Sequence, residues 1–125
     1  MSIQRIFSDY GEKRFRMIES TFFREISKVG KLIYATGGGI ILDKSNRAII
    51  KKGTSIFLDC SIEALINRVR NDNQNRPLLN SDIKKNMINL YNERNSFYKK
   101  CATHTIDTTT LNTNNVIDEI IKCIN

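Results

Sequence analysis

The sequence predicts an α/β fold of three layers, in which helices flank both faces of a parallel β-sheet. Short apolar runs typical of buried parallel strands alternate along the chain with longer segments whose apolar residues recur every three or four positions. One of these runs, Leu32–Thr36, opens directly into Gly37, Gly38 and Gly39. Ligands of open parallel sheets bind beyond the carboxyl ends of the strands. The three glycines therefore indicate a binding site at that edge of the sheet.

Length and composition narrow the class of protein. At 125 residues, with 40% hydrophobic and 26% charged residues, the chain suits one soluble globular domain. No apolar run approaches the roughly 20 residues of a membrane helix, and the first residues carry no apolar secretory signal. Three dispersed cysteines, Cys60, Cys101 and Cys123, favour buried hydrophobes in a reducing compartment over a disulfide framework or a zinc site. The net charge of +7 favours an anionic partner, which could be a phosphorylated ligand, a nucleic acid or a membrane.

Three elements are predicted in the N-terminal part. A helix covers Asp9–Lys28, and Gly30 ends it because glycine adopts the left-handed cap conformation without penalty. Leu32–Thr36 forms a buried strand. A short helix then runs from its cap, Ser45, to Lys52.

Five elements and one loop are predicted in the rest of the chain. The loop, residues 71–80, is polar and rich in turn-forming residues. The elements are two strands and three helices: strands at Thr54–Asp59 and Thr103–Asp107, a helix capped by Ser61, a long helix from Ser81 or Asp82 to about Lys100, and a last helix at Asn115–Ile124 capped by Asn114.

Glycines and arginines are the strongest candidates for a binding site. Three glycines after a strand let a ligand approach the backbone and its N–H groups, although a turn chosen for conformation alone fits the spacing equally well. Arg16, Arg76 and Arg94 stand out among the arginines because guanidinium groups bind carboxylate or phosphate through paired hydrogen bonds. Arg76 lies in the polar loop, where a lid could bring it onto a phosphate. Arg94 and Tyr98 share one helix face. For each arginine alone, a solvated surface role remains the plain alternative.

Other chemical groups give weaker signals. His104 alternates with apolar neighbours on a short strand and has no obvious ligand partner. Asp59 closes a strand, where a carboxylate can bind Mg²⁺ or cap the following helix. The spacing of serine, cysteine, histidine and aspartate residues suggests no catalytic nucleophile, and no aromatic-interleaved basic stripe indicates nucleic-acid binding.

Four motifs together resemble the shikimate kinases. GEKRFR (Gly11–Arg16), ATGGG (Ala35–Gly39), RPLL (Arg76–Leu79) and NERNSFY (Asn92–Tyr98) occur in the order and approximate spacing of that family, and the resemblance extends from about Ile3 to the C-terminus. It implies a P-loop fold like that of the nucleoside monophosphate kinases, formed by a single domain with a lid at about residues 70–80. It also implies a cytoplasmic kinase of aromatic amino-acid biosynthesis, which uses ATP and Mg²⁺ to phosphorylate the 3-hydroxyl of shikimate.

The resemblance also implies roles for individual residues. Arg16 and Arg94 would bind the shikimate carboxylate, and Gly38, with Gly37 and Gly39 beside it, would contact the ring. Arg76 would close over the ATP phosphates. The resemblance implies no nucleic-acid or membrane partner.

The sequence departs from the family at its beginning. The family's first strand, its G-x-x-x-x-G-K-[ST] phosphate loop and the acidic residue that meets the substrate hydroxyls have no counterpart in this sequence. By the resemblance, we expect these to account for roughly 40 further residues before Met1. The family's sheet order, 2-3-1-4-5, makes the missing strand the central one. We therefore expect this chain alone to be inactive, and to be marginally stable and self-associating or to pair its own Leu32–Thr36 and Thr54–Asp59 strands. A complete domain would be a monomer.

Other functions remain open at this point. The chain could be a non-catalytic derivative that binds shikimate or a partner, or a decayed gene product. A gluconate-kinase-like enzyme fits less well, because ATGGG and NERNSFY weigh against it. A basic nucleic-acid-binding module rests on the net charge alone.

Overall fold

The computed structural model describes residues 1–71 and 83–125. Their Cα positions divide into two compact units, Met1–Lys52 and Gly53–Asn125. The elements in chain order are α1 (Ile3–Ile26), a 3₁₀ helix (Gly38–Leu42), α2 (Lys44–Lys52), β1 (Ile56–Asp59), α3 (Ile62–Asn71), α4 (Ile83–Cys101), β2 (His104–Asp107) and α5 (Thr113–Ile124). The prediction of a single domain over residues 1–125 stays a prediction.

The first unit consists of α1, the glycine turn and α2, where the glycine turn is the segment Gly37–Leu42. Helix α1 begins at Ile3, earlier than the sequence predicts, because it continues through a kink at Gly11. Gly11 has φ 81° and ψ 171°, a conformation that only glycine adopts without strain. Buried Phe23, Ile40 and Ile41 form the apolar core of this unit.

The second unit is built on a two-stranded parallel sheet. Strands β1 and β2 pair in register from Ile56 opposite His104 to Asp59 opposite Asp107. Helices α3 and α4 pack on each other, and α5 packs on β2. Buried apolar residues of this unit are Cys60, Ile66, Met87, Cys101 and Ile106. The α/β class with a parallel sheet is confirmed.

The strand predicted at Leu32–Thr36 is wrong. Within the described residues the sheet contains β1 and β2 alone, and Leu32–Thr36 belongs to no ladder. Leu32 is 48% exposed and Ile33 is 97% exposed. A strand exists through hydrogen bonds to a neighbour, and no described strand pairs with this run. The expected direct pairing of Leu32–Thr36 with the following strand is therefore also wrong.

Two helix caps differ from the sequence prediction by two residues each. Asp43, rather than Ser45, caps α2, because its Oδ1 accepts the backbone N–H of Ser45 at 2.7 Å and that of Asn46 at 3.3 Å. Asn112, rather than Asn114, caps α5 through the N–H of Asn115 at 2.8 Å. Short polar side chains crowd both helix starts, so composition alone leaves the position of the cap open.

No helix in the described ranges is both long and apolar enough to span a membrane.

Candidate functional site

Helix α1 lays the guanidinium of Arg16 against the glycine turn. A Cβ added to Gly39 would overlap Nη1 and Cζ of Arg16. The absence of a side chain at Gly39 is therefore what allows the guanidinium to lie on the backbone of the turn. Two of the residues singled out from the sequence, Arg16 and Gly39, are thus brought together within one unit.

Glu19 orients Arg16. Its Oε1 accepts a hydrogen bond from Arg16 Nη1 at 2.9 Å, and these side chains are only 21% exposed for arginine and 17% for glutamate. A second carboxylate, that of Glu12, lies 3.5 Å from Arg16 Nε. The same Glu19 borders the turn, since a Cβ on Gly37 would lie 3.4 Å from Glu19 Oε2. A partly buried, charge-assisted hydrogen bond of this kind fixes the direction of a guanidinium.

Sequence reasoning missed Glu19. The signal was available, because Glu19 follows Arg16 by three positions and residues at that spacing lie on one helix face. Arginine and glutamate at this spacing also form ordinary ion pairs on helix surfaces, so the sequence gave no reason to select Glu19.

Arg94 is buried in the second unit. It lies on α4 and is 8% exposed, and its Nε is buried without a hydrogen-bond partner among the described residues. Tyr98, one turn further along α4, stacks on Phe57 of β1 with ring centroids 4.9 Å apart. A buried cation with an unsatisfied donor lowers stability. Such a donor is the kind of group that an incoming carboxylate satisfies.

The carboxyl ends of β1 and β2 are joined by Thr108. Its backbone N–H and its hydroxyl both donate to the carbonyl of Asp59, at 2.7 and 2.9 Å. Arg68 donates to the Thr108 carbonyl at 2.6 Å and to its hydroxyl at 3.0 Å. Arg68, which none of the sequence motifs singles out, therefore fastens α3 to the segment after β2.

The carboxylates near these strand ends are occupied by local hydrogen bonds. Asp59 Oδ1 accepts the N–H of the next residue, Cys60, at 2.8 Å, while Ser61 caps the following helix. The hydroxyl of Thr109 donates to Asp107 and lowers the pKa of that carboxyl. Burial raises the pKa of the neighbouring Cys60 thiol, which keeps it protonated.

Metal binding finds little support in these side chains. Across residues 1–71 and 83–125, no group of three or more His, Cys, Asp or Glu side chains could hold a metal ion. Mg²⁺ bound with a nucleotide takes most of its ligands from phosphates and water. The finding therefore concerns only a site with three or more such protein ligands among the described residues.

Two candidates remain, Arg76 and His104. Arg76 and most of the lid, about residues 70–80, lie outside the described residues. His104 is half-buried on β2.

Comparison with known proteins decides the family. The shikimate kinase family model matches residues 1–125. The shikimate kinase of Enterococcus faecalis is 37% identical over 123 residues, which cover 97% of this chain and 73% of that protein. This chain belongs to the shikimate kinase family. A second shikimate kinase, from Chromobacterium violaceum, is 37% identical over 121 residues, covering 95% of this chain and 65% of the relative.

Solved structures of the family agree with the fold. Shikimate kinase from Acinetobacter baumannii in complex with shikimate superposes with a TM-score of 0.90 at 30% identity, covering 98% of this chain and 69% of that one. Shikimate kinase from Bacteroides thetaiotaomicron shares the fold, with a TM-score of 0.83 at 23% identity. The predicted family, the P-loop kinase fold and the enzyme class are confirmed, as is the family's place in the shikimate pathway. The chain spans about two thirds to three quarters of the length of these relatives.

Proposed function

We propose that this chain binds shikimate and supplies the acceptor-binding part of phosphoryl transfer from ATP to the shikimate 3-hydroxyl. The observation that carries the proposal is the guanidinium of Arg16, oriented by Glu19 and lying directly on Gly39 in the first unit. A guanidinium that lies on a glycine backbone can bind the carboxylate of a small acid. At the same point, the absence of side chains lets the acid approach the backbone. The Acinetobacter baumannii relative was solved in complex with shikimate, which fits this substrate class.

Arg94 is proposed as the second carboxylate-binding arginine. Its burial and the unsatisfied Nε support the role from within the second unit. The charge of the acid would compensate for the loss of hydration that Arg94 suffers on folding. Gly37 and Gly38 are proposed to contact the ring of the substrate, and Arg76 to contact ATP, on the resemblance of their motifs alone.

Phosphoryl transfer needs groups beyond these. The reaction depends on positioning and on neutralising the phosphate charges, which a glycine-loop lysine, Mg²⁺ and arginines provide in such kinases. The 125 residues contain no G-x-x-x-x-G-K-[ST] sequence. We therefore propose that this polypeptide alone binds shikimate without catalysing its phosphorylation. We also propose a cytoplasmic location, which three free cysteines support.

Two measurements on the purified chain test the proposal. Calorimetric titration with shikimate should give saturable binding that Arg16→Met abolishes, whereas Arg14→Met, on the same helix, should bind as the unaltered chain does. Absence of binding by the unaltered chain would refute the acceptor-binding role. Release of ADP from ATP that depends on added shikimate would refute the proposed lack of catalysis.

A further inference from the structure

Asn46 is the most deeply buried polar side chain in the described part of the chain. It is 1% exposed, although it belongs to a short helix, α2, with exposed residues at its start. Burying an amide is unfavourable unless its hydrogen bonds are satisfied. An apolar residue would fill this space without that cost. The presence of an asparagine therefore indicates that its hydrogen bonds hold neighbouring segments in position.

The amide of Asn46 bridges α1 and the glycine turn. Nδ2 donates to Ser20 Oγ on α1 at 2.9 Å and to the carbonyl of Ile40 in the turn at 3.1 Å. Oδ1 is buried and accepts no hydrogen bond from the described residues. Both ties therefore depend on one donor group.

The two anchor points lie next to the two partners of the arginine contact. Ser20 follows Arg16 by four positions, so both lie on the same face of α1. Ile40 directly follows Gly39, whose backbone carries the Arg16 guanidinium. The hydrogen bonds of Asn46 thus fix the distance between this face of α1 and the turn close to the place where the guanidinium must fit. The tie lies one residue from Gly39 along the turn and one helical turn from Arg16 along α1.

The first turn of α2 is itself fixed. Asp43 caps it and accepts the N–H of Asn46 at 3.3 Å. Arg47 donates to the carbonyls of Ile41 and Leu42 at 2.7 and 3.2 Å. Consecutive residues of α2 therefore bind consecutive carbonyls of the glycine turn, and Asn46 also binds Ser20 of α1.

We propose that Asn46 is a positioning residue for carboxylate binding: by tying α1 to the glycine turn, it sets the contact between Arg16 and Gly39. The inference rests on the proposed binding of shikimate and deepens it. Asn46 touches no substrate in this account. It acts through Arg16, whose guanidinium loses its fixed direction when the turn moves away from α1.

Affinity measurements on a double-mutant cycle test the proposal. Shikimate is titrated into the unaltered chain, Ser20→Ala, Asn46→Ala and the double variant, at a temperature where circular dichroism shows all of them folded. Asn46→Ala should weaken binding about tenfold or more, as does removal of a group that orients a metal-ligating side chain. Ser20→Ala should weaken it several-fold, and the double variant should bind no more weakly than Asn46→Ala alone, because Ser20 acts through Asn46. An unchanged affinity of Asn46→Ala, or additive effects, would overturn the proposal.

A second ligand separates positioning from general loss of structure. Methyl shikimate lacks the carboxylate charge, so a misplaced Arg16 affects it less. In Asn46→Ala the preference for shikimate over its methyl ester should shrink about tenfold. An equal loss for both ligands would show a merely structural role. Asn112→Ala, which removes an asparagine cap on α5, should leave that preference unchanged.

Hydrogen exchange tests the tie without any ligand. The amide of Ile40 donates to the Gly37 carbonyl at 3.3 Å within the turn, and its exchange should accelerate in Asn46→Ala and in Ser20→Ala. If Asn46→Ala does not fold, Ser20→Ala decides the question, and unchanged affinity and exchange in that variant would overturn the proposal. Failure of the unaltered chain to bind shikimate would refute the proposed function, while the exchange data would still show whether the tie exists.

Discussion

Replacing Gly39 by alanine should impair shikimate binding without unfolding the chain. The new Cβ would occupy the position of the Arg16 guanidinium. Gly39 has no left-handed φ, so alanine strains no backbone there, and the flexible end of Arg16 is the group that moves. The substitution therefore acts on the binding group more than on the fold.

The structure gives the size of both effects. Displacing Arg16 weakens its ion pair with Glu19, in which the two side chains are 21% and 17% exposed, and the cost in folding free energy is about 1 kcal/mol or less. A hydrogen bond to a charged group contributes about 1.5–3 kcal/mol. Loss of one such bond to the carboxylate corresponds to about a ten- to hundredfold weaker Kd.

A graded series of glycine variants provides the controls. Gly53→Ala should bind normally, because nothing lies within 4 Å of its Cβ. Gly37→Ala should have a small effect, since its Cβ meets Glu19 Oε2 at an ordinary contact distance of 3.4 Å. Calorimetry gives Kd and thermal melting followed by circular dichroism gives stability. Equally tight shikimate binding by Gly39→Ala and Gly53→Ala would show that the Arg16 guanidinium does not need the space at Gly39.

Three further predictions concern other parts of the chain. Arg94→Met should keep or raise the melting temperature, because a buried cation with an unsatisfied Nε gives way to an apolar side chain, yet it should abolish calorimetric binding of shikimate; a clear fall in the melting temperature would contradict this. Asp43→Ala should lower the free energy of unfolding by about 1 kcal/mol through loss of a helix cap, whereas Asp43→Asn should keep the cap. The Ser45 hydroxyl lowers the pKa of Asp43 from its ordinary value of 3.8. The ionised Asp43 therefore stabilises the fold above that pH, and this stabilisation is lost as the pH falls through the lowered pKa. Urea unfolding at several acidic pH values should show this dependence in the unaltered chain and not in Asp43→Asn. Thr108→Val should cost about 1–3 kcal/mol in the same unfolding assay, because Arg68 and the Asp59 carbonyl lose a buried partner, and a change within a few tenths would contradict it.

Local patterns predicted the helices and two of the strands. The three- and four-residue spacing of apolar positions located α1, α3 and α4, and Ser61 was correctly expected to cap α3, where its hydroxyl accepts the N–H of Ala64 at 3.2 Å. Alternating short apolar runs located β1 and β2. These features depend on residues that are close together in the chain, so the sequence alone is enough to predict them.

Pairing and long-range contacts were harder to predict. Leu32–Thr36 has the composition of a buried strand, but a strand forms only with a partner, and apolar composition does not supply one. Arg16 was selected by its motif. Its contact with Gly39 and its orientation by Glu19 depend on how α1 packs on the turn. Asn46 gave no signal at all, because its importance comes from burial and from two partners distant in sequence.

Calorimetric titration of the purified chain with shikimate, compared between the unaltered chain and Arg16→Met, tests the central claim most directly. We expect saturable binding to the unaltered chain and none to the variant, with both equally folded by circular dichroism. Equal binding by the two, or no binding by the unaltered chain, would contradict the claim that the Arg16 contact with the glycine turn binds the substrate acid.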